Sequence, residues 1–198
     1  MSEVILLLGP HGVGKSSIIN YAKKKAYFDS YEGFKIIPEN LNLESLNDFL
    51  EFQRQYLEVA SELSKKIHRG TKPGLVIRSI EECSYYYYKR NESGNLMDFY
   101  HSAVINNNFI GADFIFYLDA SIEVLNERCA RDTKRNKERN TIWYKNSYKS
   151  YENYWKNNSK VIIIDTSKLS IQEVYNRIKE IYDKRFIPQK KWTTCIKI

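Results

Sequence analysis

The chain has 198 residues, 42% of them hydrophobic and 28% charged, with 8 Gly and 4 Pro. That length and apolar content support one sizeable core and leave little room for two, and the composition is that of a globular protein rather than a disordered one. A net charge of +7 fits a nucleic-acid surface, but it equally fits a pocket that gathers several phosphates, and charge alone does not separate the two.

The run Val4 to Leu8 is apolar throughout and too short for a membrane span or a signal-peptide core. It reads as a strand buried on both faces. Directly after it, Gly9-Pro10-His11-Gly12-Val13-Gly14-Lys15-Ser16 satisfies G-x-x-x-x-G-K-[ST]. A helix is predicted over Lys15 to Lys25, so the motif has the strand before it and the helix behind it that its mechanism requires. The glycines let the backbone curl until its N–H groups, with those of Ser16 and Ser17 in the first helical turn, face a β-phosphate. Lys15 then reaches the β and γ oxygens, and the Ser16 hydroxyl is the candidate ligand for Mg²⁺. His11 and Val13 contribute backbone rather than side-chain chemistry. ATP or a close relative is the expected ligand.

A second strand is predicted at Phe34 to Ile37, ending in Pro38-Glu39-Asn40. Glu39 thereby falls at the sheet edge, where a carboxylate can act as a base, although a helix cap or a solvated loop residue would fit the spacing as well. A helix follows over Leu46 to His68, carrying Phe52 and Gln53, then a turn at Gly70 to Gly74 and a third strand at Leu75 to Ile77. Arg78-Ser79 closes that strand.

A helical stretch roughly from Ile80 to Asn107 precedes a fourth strand, Phe114 to Leu118, with Asp119 at its end. The helix predicted over Ile122 to Thr133 runs into a basic segment containing Arg128, Arg131, Lys134 and Arg135. Such a run suits a lid that neutralises a transferring phosphoryl group, and it also suits a solvated helix face. A helix over Asn140 to Asn157, a fifth strand at Val161 to Ile164 and a helix over Ile171 to Asp183 complete the pattern. Residues 1–187 form one domain on this reading, followed by a basic tail, 188–198.

Alternating strands and helices imply right-handed crossovers and an α/β fold of the P-loop NTPase type: a five-stranded parallel sheet flanked by helices, with an Arg-rich lid and ligands beyond the C-terminal strand ends. The three cysteines, Cys83, Cys129 and Cys195, stand far apart with no metal-ligand spacing, which suggests reduced thiols and a cytoplasmic home. No targeting segment and no membrane partner are expected.

From residue 3 to residue 165 these motifs, in order, resemble the deoxynucleoside kinases of the thymidylate-kinase-like group. Ile37-Pro38-Glu39-Asn40-Leu41 resembles the family's acidic strand end, which implies that Glu39 activates a nucleoside 5′-hydroxyl. Phe52-Gln53 is similar to the pair whose amide reads the base edge, a role for which an amide's paired donor and acceptor are suited. Val76-Ile77-Arg78-Ser79 is similar to the family's Glu-Arg-Ser, and the stretch from Leu118 to Glu138 is similar to its lid. Tyr151-Glu152-Asn153-Tyr154-Trp155 resembles the helix whose Glu holds the sugar 3′-hydroxyl.

Two positions depart from the family. Ile77 stands where an acid that organises Mg²⁺ is expected, leaving Asp119 or Glu39 to compensate, and Asn42 stands where the family's sugar-binding Tyr would fall. The positions that carry an Arg and an Asp in the deoxycytidine and purine kinases resemble Ala60 and Cys83 here, and small uncharged residues leave room for a thymine methyl. The resemblance therefore implies an ATP- and Mg²⁺-dependent kinase acting on a nucleoside, thymidine favoured, in a homodimer and with no nucleic-acid partner. One rival is a nucleoside monophosphate kinase, with Arg78 and Arg54 facing the acceptor phosphate. Another is a P-loop ATPase or switch linked to nucleic acid, with Asp119 as its metal-binding acid.

Overall fold

The computed structural model describes residues 1–10, 12–32, 45–81, 102, 104–106, 108–131 and 161–186. In chain order these contain β1 (Val4–Leu8), α1 (Lys15–Lys25), β2 (Asp29–Tyr31), α2 (Leu46–His68), β3 (Gly74–Val76), β4 (Phe114–Asp119), α3 (Ile122–Ala130), β5 (Val161–Asp165) and α4 (Ile171–Phe186). Among the described residues the sheet has five strands, all parallel, in the order β2-β3-β1-β4-β5.

The alternation of side chains along a strand divides the apolar run of β1 between two cores. Ile5 and Leu7 face a cluster built with Ile18 and Ile19 of α1, Leu125 of α3 and Val174 and Ile178 of α4. Val4, Leu6 and Leu8 face the opposite way, against Ile67 and Leu63 of α2. Burial on both faces is what a continuous apolar strand without alternation requires, and each fully buried Leu or Ile contributes about 1.5–3 kcal/mol. Helices α1 and α4 are joined at their rims, where the Tyr27 hydroxyl donates to Asp183 and Lys179 reaches the same carboxylate. Burial first, and then that bond to Asp183, push the Tyr27 phenol above its ordinary range.

Several bounds differ from the sequence expectation. The second strand is Asp29–Tyr31, a polar triplet paired with β3 in the register Asp29↔Gly74 to Tyr31↔Val76; the apolar run 34–37 lies outside the described residues. Helix α3 stops at Ala130 and Arg131 forms its C-cap, still donating its N–H to the Glu127 carbonyl at 3.2 Å. Helix α4 continues three residues beyond Asp183, to Phe186. Of the stretch 80–107 only Glu81, Ser102 and the turn 104–106 are described as helical, and 140–157 and the tail 188–198 lie outside the described residues. No helix among the described residues is long and apolar enough to cross a membrane.

The direction of α2 positions the site. Its C-terminal end is pinned at the N-terminal edge of the sheet: His68 Nε2 lies 2.7 Å from Asp113 Oδ2, which also accepts the Val4 N–H at 2.7 Å. A rise of 1.5 Å per residue puts Gln53 roughly 22 Å along the axis from His68, further than the roughly 16 Å length of β1. The first turns of α2 therefore reach past the C-terminal ends of the strands, on the same side as the glycine loop.

Candidate functional site

The glycine loop leaves the end of β1, and its geometry explains its residues. Gly9, Gly12 and Gly14 have φ of 134°, 85° and 102°, a region that side chains rarely adopt. A side chain at Gly9 would also drive into the Leu118 carbonyl at the end of β4. Gly9→Ala is thus expected to lower stability by about 3 kcal/mol or more, combining backbone strain with a clash against main chain; a urea midpoint unchanged from the parent would contradict it. Gly14 is the N-cap of α1 and supplies no side-chain cap to the first N–H groups of the helix. Val13 is buried in the core and anchors the turn, with its N–H directed to the Pro10 carbonyl at 3.5 Å.

Lys15 folds across the mouth of this loop, donating to the Gly9 carbonyl at 2.5 Å and to the Pro10 carbonyl at 3.1 Å. Ser16 is half-buried and Ser17 exposed, both in the first turn of α1. The Lys15 ammonium thus lies at the start of the loop, next to the N-terminus of α1, an end of a helix that favours negative charge.

Gln53 lies on the buried stripe of α2 formed by Phe49, Tyr56, Leu57, Ala60 and Ser61. The residue is 1% exposed, and its Oε1 has no hydrogen-bond partner. An amide oxygen buried without a partner costs about 1–3 kcal/mol, and a ligand donor recovers that cost. Phe52, next to it, is half-buried. Arg78 is half-buried just past β3, while Ser79 is 1% exposed with its Oγ also lacking a partner. Ile77 packs into the core, as an apolar residue must, and supplies no metal ligand. Arg54 is not aimed at an acceptor: it is exposed and bridges Glu51 and Glu58 on its own helix.

On the other side, β4 and β5 end together, with Asp119 paired to Asp165. Asp119 Oδ1 accepts the Ala120 N–H at 2.9 Å. Asp165 is held below the usual carboxylate range by hydrogen bonds from the Ser167 hydroxyl and then its N–H. Among the described residues no group of three or more His, Cys, Asp or Glu side chains could hold a metal by itself. Ser16 in the first turn of α1 and Asp119 at the end of β4 are oxygen donors of the kind that Mg²⁺ takes beside phosphates and water.

Of the basic run after β4, Arg131 pairs with Glu127 one turn back and keeps 75% of its side chain exposed. Arg128 instead donates to Thr166, a residue to which the sequence pattern drew no attention. The signal was the polar Asp165-Thr166-Ser167 that follows an apolar strand. His11, Glu39, Asn42, Cys83, Lys134, Arg135 and Glu152 lie outside the described residues.

No family model and no curated protein matches the chain by sequence. Its fold is similar to that of deoxyadenosine kinase from M. mycoides with bound dCTP, with a TM-score of 0.64 and 21% identity over 91% of this chain and 99% of that one. Thymidylate kinase from Candida albicans gives a TM-score of 0.62 at 13% identity, covering 92% of each chain. The YorR protein from Bacillus subtilis, in complex with phosphorylated GDP, gives 0.54 at 13% identity over 91% of this chain and 95% of that one. The five-stranded parallel sheet with its glycine loop is therefore a fold that this deoxyadenosine kinase and this thymidylate kinase also have.

Proposed function

We propose that the chain is an ATP-dependent deoxynucleoside kinase that transfers the γ-phosphoryl group to the 5′-hydroxyl of a deoxynucleoside, thymidine and other pyrimidines favoured. The observation that carries this reading is Gln53, whose buried and unpartnered Oε1 sits beyond the same strand ends as the phosphate loop. A polar group left open in an otherwise apolar stripe calls for a ligand with a complementary edge, and a nucleobase has one.

The roles follow from the chemistry of transfer. Loop N–H groups and Lys15 bind the β and γ oxygens, and Arg78 steadies the acceptor end. Ser16 and Asp119 would hold Mg²⁺, which supplies charge neutralisation to the phosphates. Glu39 takes the proton of the 5′-hydroxyl as its oxygen attacks the γ-phosphorus, and the bond to the β-phosphate oxygen breaks to release ADP. Phe52 and Gln53 hold the base, Glu152 the 3′-hydroxyl, and Arg131 and Arg135 approach the phosphates on closure. Ala60, small and buried on the Gln53 stripe, supports the preference for a base carrying a methyl group.

A monophosphate kinase is the second reading, favoured by the fold of the Candida enzyme and by Arg78. Against it, the Arg54 guanidinium is committed to Glu51 and Glu58. The test is ATP consumption with thymidine, deoxycytidine, deoxyadenosine, deoxyguanosine and dTMP as acceptors. Phosphorylation of at least one nucleoside is expected, with Gln53→Leu raising its KM about tenfold or more, the scale of an unpaired base edge. Turnover of dTMP alone, or Gln53→Leu indistinguishable from the parent, would overturn the proposal.

A further inference from the structure

We propose that Arg128 is a positioning residue: it clamps α3 between Thr166 and the phosphate loop, and so sets affinity for the phosphate donor without touching it. This deepens the reading above and rests only on its nucleotide-binding part.

The clamp begins at the end of β5. One guanidinium nitrogen of Arg128 donates to Thr166 Oγ1 at 3.1 Å and the other to the Thr166 carbonyl at 2.7 Å. A planar fork with both arms on one residue has little freedom left. Thr166 is itself immobilised, being 1% exposed, with its N–H and its hydroxyl both donated to the Asp119 carbonyl, at 2.8 and 2.9 Å. A second tie runs parallel to it: the Ser121 N–H donates to Ser167 Oγ at 3.0 Å, and the Ser121 hydroxyl caps α3. Both ends of α3 are therefore fastened to the segment after β5.

The same helix bears on the phosphate loop. A Cβ at Gly12 would lie 2.6 Å from Cys129 Sγ and 3.1 Å from the Leu125 carbonyl, so α3 packs directly on the Gly12 backbone. Close-packed contacts transmit displacement rather than absorb it. A shift of α3 would move the Gly12 peptide, whose N–H belongs to the phosphate cradle, and Arg128 opposes that shift. The side of the sheet is also the right one. In-line transfer puts donor and acceptor on opposite sides of the migrating phosphoryl; with Arg78 just past β3, on the other side of β1 from β4, the donor leaves over β4 and β5.

The test is calorimetric titration of the full chain with MgATP and MgADP, alongside Thr166→Val, Arg128→Ala, Arg128→Lys and the Arg128→Ala/Thr166→Val double variant, each checked for cooperative unfolding. Arg128→Ala is expected to weaken donor binding about tenfold, Arg128→Lys less, and the double variant no more than Arg128→Ala, because the two residues act as one unit. In turnover, KM for ATP rises by more than kcat falls. A direct phosphate contact predicts the reverse: a loss of about a hundredfold in kcat for Arg128→Ala, with the Thr166 effect small and additive. That result, or unchanged donor affinity in Arg128→Ala, overturns the proposal. Should Arg128→Ala fail to fold, Thr166→Val decides alone: parental donor affinity would refute the clamp. Failure of the parent itself to bind ATP would refute the phosphate-loop reading instead, and the two failures are distinguishable because no acceptor is present.

Discussion

Lys15→Ala is expected to abolish phosphoryl transfer, with a loss of at least about a thousandfold in kcat/KM, while the fold survives. The ammonium lies at the loop mouth on the carbonyls of Gly9 and Pro10, and Lys15 is half-buried at the start of α1 rather than part of either core. The loop's shape comes from three glycines with positive φ and from buried Val13, none of which depends on the lysine. Alanine is also the best helix former for the first turn of α1. The melting temperature should consequently move by no more than about 4 °C, the size expected for a change near 1 kcal/mol in a chain of this length. A circular dichroism melt and an ATP-consumption assay check the two halves. Near-parental turnover in Lys15→Ala would remove the loop from the mechanism.

Glu39→Gln is expected to lower kcat on a nucleoside by roughly 10² to 10⁴ while acceptor KM changes far less. The amide preserves size and much of the hydrogen bonding, so what is lost is the base. A neutral 5′-hydroxyl must shed a proton as it attacks, whereas the acceptor of a monophosphate kinase is already an anion and needs no such group. In that case the same substitution would act on binding or metal geometry. Steady-state kinetics of parent and variant with thymidine, deoxycytidine, deoxyguanosine and dTMP separate the two. Unimpaired kcat on a nucleoside would remove Glu39 from the role of base.

Much of the scaffold was legible without coordinates because its signals are local. Val4–Leu8, Lys15–Lys25 and Leu46–His68 fall where the apolar runs, the glycine loop and the helical periodicity put them. A strand buried on both faces must be apolar along its whole length, and a helix that packs on one side must repeat its apolar positions every three or four residues. The burial of Gln53 belongs with these, since it shares the stripe of Phe49, Leu57 and Ala60.

Partner choice was not legible where it is decided across long separations in the chain. Strand β2 is a polar edge triplet whose identity comes from the backbone of β3 and not from its own side chains. Arg54, Arg128 and Arg131 look alike in sequence as cations near helical segments. Folding gives Arg54 to Glu51 and Glu58, Arg131 to Glu127, and Arg128 to Thr166, 38 residues away. Periodicity determines which face a side chain takes. Arg54 and Arg131 meet carboxylates three or four residues away, but whether Arg128 meets Thr166 depends on the strand order that brings β4 and β5 together, and only the tertiary structure contains that.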